Sequence, residues 1–427
     1  MNRTLVKETT QKIGKEVLLK GWIASIRDHG KITFIDLRDK SGLIQCVGQN
    51  LPKVTAESVV EIKGIVEKRP EKLINRELAT GIIEIQIINL KILSEAEELP
   101  IPIDEHVKDE AAIQKRLDWR WIDLRRNDNK RIFEVWTSLE KGFRKHIYNS
   151  GYIQVYTPSF MKSASESGAQ VFEVNYFDGK AYLAQSPQFY KQLAMAAGFE
   201  KVFMVGPVFR AEPSFTTRHM TEFTSWDFEI SFIESHHDIM DEEEKMIVSG
   251  FKQVNKDLGI NLEIPKTPFP RVPFTKAKEM LKKAGINSEN EFDVSPEEER
   301  ELSKIIKNEK NHNFVFIIDW PYQKRAFYHM RLEEDHKLTK GFDLLYKGLE
   351  VTTGAQREHR VGYLEKQAKE MNMPFDDLKY YFDFFRYGCP PHGGAGIGPG
   401  RIVMQMLGLN SVKEATFLPR DVKRLNP

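Results

Sequence analysis

The 427-residue chain gathers ionic side chains in the stretch Gly206-Pro-Val-Phe-Arg-Ala-Glu-Pro-Ser-Phe-Thr-Thr-Arg-His-Met-Thr-Glu-Phe-Thr-Ser-Trp-Asp-Phe-Glu229. Arg210, Glu212, Arg218 and His219 lie close together there, and Asp227 and Glu229 follow on the return. Two arginines at opposite ends of a loop can clamp a polyphosphate, because each guanidinium offers a planar fork of donors. A solvated, salt-bridged hairpin is the competing reading, and for one arginine alone it is the better one. Asp343 and Glu350 stand seven apart, on either side of Tyr346-Lys347-Gly348. Two carboxylates converging on a tight strand–turn–strand can bind Mg²⁺, which takes a few oxygen ligands and keeps its waters and phosphates. Two surface acids flanking a turn would look the same. The run Gly393-Gly-Ala-Gly-Ile-Gly-Pro-Gly-Arg401 would let backbone approach a nucleotide closely before a helix begins. A glycine run by itself carries little weight.

These groups need elements to hold them. Val205–Glu212 and Glu222–Phe232 read as two strands, with the polar Pro213–Met220 as the loop between them. Ser186 is placed to N-cap a helix carrying Gln188 and Lys191, with Pro187 in its first turn. Ile132, Val135, Leu139, Phe143 and Ile147 recur at helical spacing in Arg131–Asn149, and Tyr152–Tyr156 follows as a strand stopped by Thr157-Pro158. Residues 234–262 read as a helix and 266–330 as a less regular insertion. Ile317–Asp319, Phe327–Arg331 and Gly341–Val351 are strand-like, and Ile402, Val403, Met406 and Leu407 mark an amphipathic helix. The large domain is therefore expected to be α+β, an antiparallel sheet flanked by helices.

Residues 1–94 differ in character. Short strands at Val17–Ile26, Ile32–Leu37, Leu43–Val47, Val59–Val66 and Ile82–Ile92 are separated by turn signals. Five strands in that length predict a small closed barrel of the OB type, which binds single-stranded nucleic acid on exposed aromatics beside a basic groove. This segment holds 16 Lys+Arg against 11 Asp+Glu, net +5, so the remainder carries −4 of a total of +1. A basic small domain on a mildly acidic large one hints at a polyanionic partner at one end. Ser94–Asp109, with two prolines and acidic residues, reads as a linker, and 95–125 as linker and hinge before a catalytic domain at 126–427.

Composition excludes other classes. The chain is 41% hydrophobic and 29% charged, ordinary for a globular protein with a sizeable core. It has no apolar run of membrane-spanning length, and Met1–Gln11 lacks a signal-peptide core. Cys46 and Cys389 lie far apart without metal spacing, which fits a reducing cytoplasm.

Taken together, Phe209-Arg-Ala-Glu212, Thr216-Thr-Arg-His219, Glu222-Phe223 and Asp227 with Glu229 resemble motif 2 of the class II aminoacyl-tRNA synthetases, and their neighbours resemble the aspartate enzymes. The glycine run ending at Arg401 resembles motif 3, the Arg131–Tyr156 helix, strand and proline resemble the dimer-forming motif 1, and Arg116–Arg126 resembles the hinge. Gly21-Trp22-Ile23, Phe34–Asp39 and Leu43–Cys46 resemble the anticodon-binding barrel of this group, and the tail from Phe417 resembles that of aspartyl enzymes. The likeness spans nearly the whole chain and is nearest the shorter archaeal and eukaryotic type.

The resemblance implies a residue-by-residue assignment. Arg210 bridges the amino acid carboxylate and the ATP α-phosphate, Glu212 takes the adenine amino group, Phe223 stacks on the base, and Arg218 and His219 reach the outer phosphates. Arg401, after Gly398, stacks over adenine and binds the γ-phosphate; Asp343, Glu350 and Thr353 hold Mg²⁺. Lys191 and Arg357 take the side-chain carboxylate of L-aspartate, Thr353 belongs to the same pocket, and Glu166, Gln188 and Asp227 take its α-ammonium. In the barrel, Phe34 stacks on an anticodon base and Arg27, Gln45 and Glu84 read base edges. The implied partners are ATP, L-aspartate, tRNA(Asp) and a second copy of the chain. One departure stands out: relatives usually carry glutamate just before the motif 3 arginine, and here the residue is Gly400. Three rivals remain: an enzyme that also charges tRNA(Asn), an adenylate-forming paralogue with another acceptor, and an inactive tRNA-binding protein. A complete basic barrel speaks against the second, and Arg210, Glu350 and Arg401 together against the third.

Overall fold

The computed structural model describes residues 2–103, 113–162, 171–213, 216–373 and 375–426. It divides into two compact units, Met1–Pro102 and Ile103–Pro427.

The first unit is a closed barrel of β1 (Glu16–Asp28), β2 (Ile32–Asp39), β3 (Gly42–Gln49), β4 (Val59–Lys68) and β5 (Ile83–Ser94), in the order β1-β2-β3-β5-β4. Its neighbours pair antiparallel except β3 with β5, which closes the barrel in parallel. Alternate residues such as Val17, Leu19, Ile35, Leu37, Ile62 and Ile85 fill the interior, as the two-residue period of a strand requires. All five expected strands are present; the first four are lengthened at one or both ends, and the fifth starts one residue later and runs on to Ser94.

The second unit starts with two short helices, α1 (Ile113–Asp118) and α2 (Arg120–Asp123), so residues 113–125 belong to this unit and not to a linker. Arg120, fully buried, pairs with Asp123 and donates to the carbonyls of Glu414 and Thr416, fastening the start of the unit to its end. Then come α3 (Asn127–Asn149), β6 (Ile153–Gln154), β7 (Phe160–Met161), β8 (Glu173–Tyr176), β9 (Gly179–Leu183) and α4 (Gln188–Ala196). The strand expected over Tyr152–Tyr156 is thus only two residues. Helix α4 is capped by Pro187, and Ser186 stands one place further out, its Oγ accepting from the Gln188 amide at 3.3 Å; the expected serine cap is corrected by one residue.

The sheet that carries the site has eight strands in the order β12-β13-β14-β15-β16-β11-β10-β6. Its hairpins are β10 (Lys201–Phe209) with β11 (Glu222–Ser231), and, after α5 (His236–Leu258), β12 (Arg271–Pro273), α6 (Phe274–Lys283), α7 (Pro296–Lys310) and β13 (Phe314–Ile318), β14 (Gly341–Tyr346) with β15 (Leu349–Gln356). Helices α8 (Val361–Glu370) and α9 (Lys379–Arg386) precede β16 (His392–Ile397), which inserts between β15 and β11, and α10 (Pro399–Leu407) follows. The six central strands are antiparallel, while β12 and β6 pair in parallel at the two ends. Helices α3 and α5 cross where Gly142 lies on Gly250: a Cβ on Gly142 would come within 2.8 Å of the Gly250 Cα. This brings Leu139 and Phe143 with Met246, Ile247 and Phe251 onto Phe203, Trp226 and Phe228 of the sheet.

Three expectations are corrected. Residues 266–330 are no irregular insertion, because β12 and β13 extend the main sheet and α6 and α7 cover it. Phe327–Arg331 is not a strand; only single bridges, His329 to Arg357 and Arg331 to Thr339, occur there. The first site strand ends at Phe209, leaving Arg210 and Glu212 just beyond it.

Candidate active site

One cavity of about 940 Å³ opens on the face of the sheet and is lined from strands β11, β15 and β16, helix α4 and the loop after β10. Gln188, Lys191, Arg210, Glu212, Arg218, His219, Phe223, Asp227, Glu350, Thr353, Arg357, Gly398 and Arg401 all line it. Of the other candidates, Asp343 lies behind the lining and Glu166 falls outside the described residues.

At the inner end the geometry follows from strand period. Asp227 and Glu229 are two apart on β11, so their side chains share a face, and β16 places Gly396 and Gly394 opposite them. A Cβ on Gly396 would sit 3.1 Å from Asp227 Oδ1, and one on Gly394 would collide with Glu229, so the glycines of the run make room for two carboxylates. Lys191 Nζ donates to Asp227 Oδ1 at 2.8 Å and lies 3.5 Å from Glu229 Oε2. Arg357 Nε donates to Glu229 Oε1 at 3.0 Å and its Nη2 to the Gly394 carbonyl at 2.9 Å. Burial pushes the Glu229 carboxyl up, but Arg357 and Lys191 outweigh it and hold the group below its ordinary value. Two cations, Lys191 and Arg357, thus face two carboxylates, Asp227 and Glu229, at this end. His329 completes this end, its Nε2 at 3.3 Å from Arg357 Nη1, and burial followed by Arg357 keeps the imidazole well below its ordinary pKa, hence neutral. Gln188 Nε2 and Arg210 Nε are buried and find no hydrogen-bond partner among the described residues.

The outer end is built on the β14–β15 hairpin, whose turn residues Lys347 and Gly348 both have positive φ, at 49° and 83°. Arg401 Nη1 donates to the Glu350 carbonyl at 2.8 Å and lies 3.3 Å from its Oε1, while Nη2 reaches the Arg218 carbonyl at 3.5 Å. Burial raises the Glu350 carboxyl, yet Arg401, Arg325, Arg210 and Arg218 together hold it below the usual range. Thr353 Oγ1 donates to Glu350 Oε1 at 3.3 Å. Asp343, opposite Thr353 in register, is held by both nitrogens of the Arg325 fork at 2.8 and 2.5 Å. Arg218 Nη1 donates to Glu299 Oε2 at 2.7 Å, and burial, with Glu350 beside it, pushes the Glu299 carboxyl up to about 7. His219 is lowered by burial and by Arg401 and Arg218. The Arg210 guanidinium lies over the Phe223 ring, 5.7 Å from its centroid. Gly400 falls in the first turn of α10, where a Cβ would press on Val412 at 3.3 Å and the Trp136 indole at 3.4 Å. The space a side chain would take is already filled, and Glu350 does the orienting of Arg401.

No motif or period in the sequence marks Arg325, Glu299 or His329. The first two lie in the segment read as irregular, and His329 in one read as a strand, so no period marked them. Glu229 was legible in principle from its two-residue spacing to Asp227.

In the barrel, the four candidates lie near one another on β2, β3, β5 and the end of β1. Arg27 Nη1 donates to Asp36 at 2.8 Å and Nη2 to Gln45 Oε1 at 3.2 Å, and Gln45 Nε2 donates to Glu84 at 3.0 Å. Phe34 is half-buried outside the barrel core, with the His29 ring edge-on at 5.7 Å.

A cavity rimmed by arginines on an antiparallel sheet, next in sequence to a nucleic-acid-type barrel, has clear counterparts among known proteins. The family described as tRNA synthetases class II (D, K and N) matches residues 112–422, and that described as OB-fold nucleic acid binding domain matches 17–93. The chain therefore belongs to the class II tRNA synthetases of the D, K and N group and is an aminoacyl-tRNA ligase. Among its relatives, the aspartate–tRNA(Asp/Asn) ligase of Aeropyrum pernix is 39% identical over 97% of this chain and 96% of its own length. The aspartate–tRNA(Asp) ligase of Pyrococcus furiosus is 37% identical over 98% of both chains. The asparaginyl-tRNA synthetase of Pyrococcus horikoshii, solved with asparaginyl-adenylate, superposes with a TM-score of 0.90 at 29% identity over the whole of both chains.

Proposed function

We propose that this chain is an aspartate–tRNA ligase, which activates L-aspartate with ATP and transfers it to the 3′ end of tRNA(Asp). The observation that carries the reading is the meeting of Arg210, Arg401, Arg357 and Lys191 around one cavity. Activation brings a carboxylate onto the α-phosphorus of ATP, two anions that repel each other. Positioning and charge neutralisation suffice, without a protein nucleophile. Arg210 would bridge the reacting carboxylate and the α-phosphate, with its buried Nε available to a ligand. Lys191 and Arg357, fixed by Asp227 and Glu229, would grip the side-chain carboxylate. Gln188, its amide nitrogen unsatisfied, and Asp227 would meet the rest of the amino acid. Glu212 and Phe223 would hold adenine, and Arg218, His219 and Arg401 the outer phosphates.

The oxygens of Glu350 and Thr353 fit Mg²⁺: they are hard donors 3.3 Å apart. Mg²⁺ takes few protein oxygens and keeps waters and phosphate oxygens as its other ligands. Glu350 and Thr353 would hold it, while Asp343 stands behind them on Arg325. When bound, Mg²⁺ supplies charge neutralisation to the phosphates.

Phe34, Arg27, Gln45 and Glu84 would face the anticodon, and α3 with β6 a second copy of the chain, with Tyr148 and Ile153 exposed on those segments. A second reading, charging of both tRNA(Asp) and tRNA(Asn), is favoured by the name of the Aeropyrum pernix relative. Charging of separated tRNA pools with aspartate and with asparagine tests both. Aspartate on tRNA(Asp) alone supports the first reading, aspartate on both pools the second, and asparagine in preference to aspartate overturns each.

A further inference from the structure

The arginine of the loop after β10 does not stand alone. Arg218 is carried by a polar segment with no regular structure, and an arginine on such a loop has about 2 kcal/mol of rotamer entropy to lose before it can hold a ligand. Here its Nη1 is committed to Glu299 at 2.7 Å, leaving Nε and Nη2 for the cavity that Arg218 lines. Glu299 is itself nearly inaccessible, and a series of local devices delivers it. Ser295 caps α7 by accepting from the Glu298 amide, and Pro296 opens the helix, which fixes the first turn. The helix packs on β13, β14 and β15. Gly348, at the tip of the β14–β15 hairpin, lies so close to this first turn that a Cβ would come 2.9 Å from the Arg300 Cα. The same Glu299 oxygen accepts from the Glu350 amide at 3.4 Å, so one carboxylate ties the loop, the helix and the hairpin together.

We propose that Glu299 is a positioning residue for the outer phosphates of the nucleotide, its carboxylate fixing the Arg218 fork over that end of the cavity. The inference rests on the reading of the cavity as an ATP site. It concerns binding of the β- and γ-phosphates and not of adenine, ribose or amino acid. That selectivity separates it from a role in merely holding α7 in place.

The test is direct binding of ATP and of AMP to the full-length protein by titration calorimetry, together with the KM for aspartate. Glu299→Ala should weaken ATP about tenfold, the size of one charge-assisted hydrogen bond, and leave AMP affinity and the aspartate KM unmoved. Glu299→Gln, which keeps an oxygen for Arg218 Nη1, should recover most of the loss. Arg218→Ala should weaken ATP as well, and adding Glu299→Ala to it should cost nothing further. Equal loss of ATP and AMP, or additive losses in the double variant, would overturn the proposal in favour of a structural role. So would ATP affinity that responds to Arg218→Ala but not to Glu299→Ala. Failure of the parent protein to bind ATP at all would instead remove the ATP-site reading, and the proposal with it.

Discussion

Lys191 is an ammonium with almost no exposed surface, between Asp227 and Glu229. Taking it away leaves two buried carboxylates short of a partner, a change that costs about 3–5 kcal/mol where a buried pair is broken. Lys191→Met should therefore abolish aspartate-dependent ATP–pyrophosphate exchange and lower the unfolding midpoint, while ATP binding persists; unaltered aspartate kinetics would take Lys191 out of the pocket. Gly400 behaves differently. Its neighbours Val412 and Trp136 are already within contact distance of an added methyl. Gly400→Ala should cost about 1 kcal/mol by overpacking, read by chemical denaturation, and leave exchange near that of the parent because Glu350 still orients Arg401. Residues of this kind were legible in the sequence when a short motif surrounded them. The partners that neutralise them were not: nothing local tells that Arg325 reaches Asp343 or that Glu299 reaches Arg218, since those pairs lie 18 and 81 residues apart.

Among the elements, α5 carries the most unusual side chain. Glu243 is fully buried on the helix face toward β15, and burial pushes its carboxyl from 4.5 to about 8. The folded protein thus holds a proton that the unfolded chain has already released above pH 4.5. Stability contributed at this position is greatest at low pH, falls as pH rises between about 4.5 and 8, and levels off beyond, each pKa unit being worth about 1.4 kcal/mol. Glu243→Gln should flatten that slope and be the more stable protein at pH 8.5, measured by denaturation at several pH values; an unchanged slope would show that Glu243 titrates normally. Periodicity announced α5, as it announced α3 and the barrel strands, because one face of each is apolar. It marked β14 within Gly341–Val351 but only the end of β13, which is buried on both faces and reads as a continuous apolar run that period two cannot mark. The glycine run misled in another way. It lies mostly in a strand, β16, where small residues clear space for β11, and only its end enters a helix.

For the molecule as a whole, the division into a barrel and a catalytic unit predicts separable defects. Phe34→Ala should raise the KM for tRNA, since loss of one base–aromatic stack costs about 1–3 kcal/mol, without affecting ATP–pyrophosphate exchange, which needs no tRNA. Equal loss of both activities would contradict the assignment of the barrel to tRNA. The two-part organisation was visible in the charge and strand pattern of the first 94 residues, though the compact unit runs on to Pro102.

The closed circuit of Lys191, Arg357, Asp227 and Glu229 has a bearing on ionic strength. Because each cation is matched inside the protein, the bulk electrolyte has little net field to screen there, and partly buried pairs are screened far less than exposed ones. Apparent affinity for the free amino acid should stay nearly flat as potassium chloride is raised. Affinity for the nucleotide, gripped by the half-exposed Arg210, should decline.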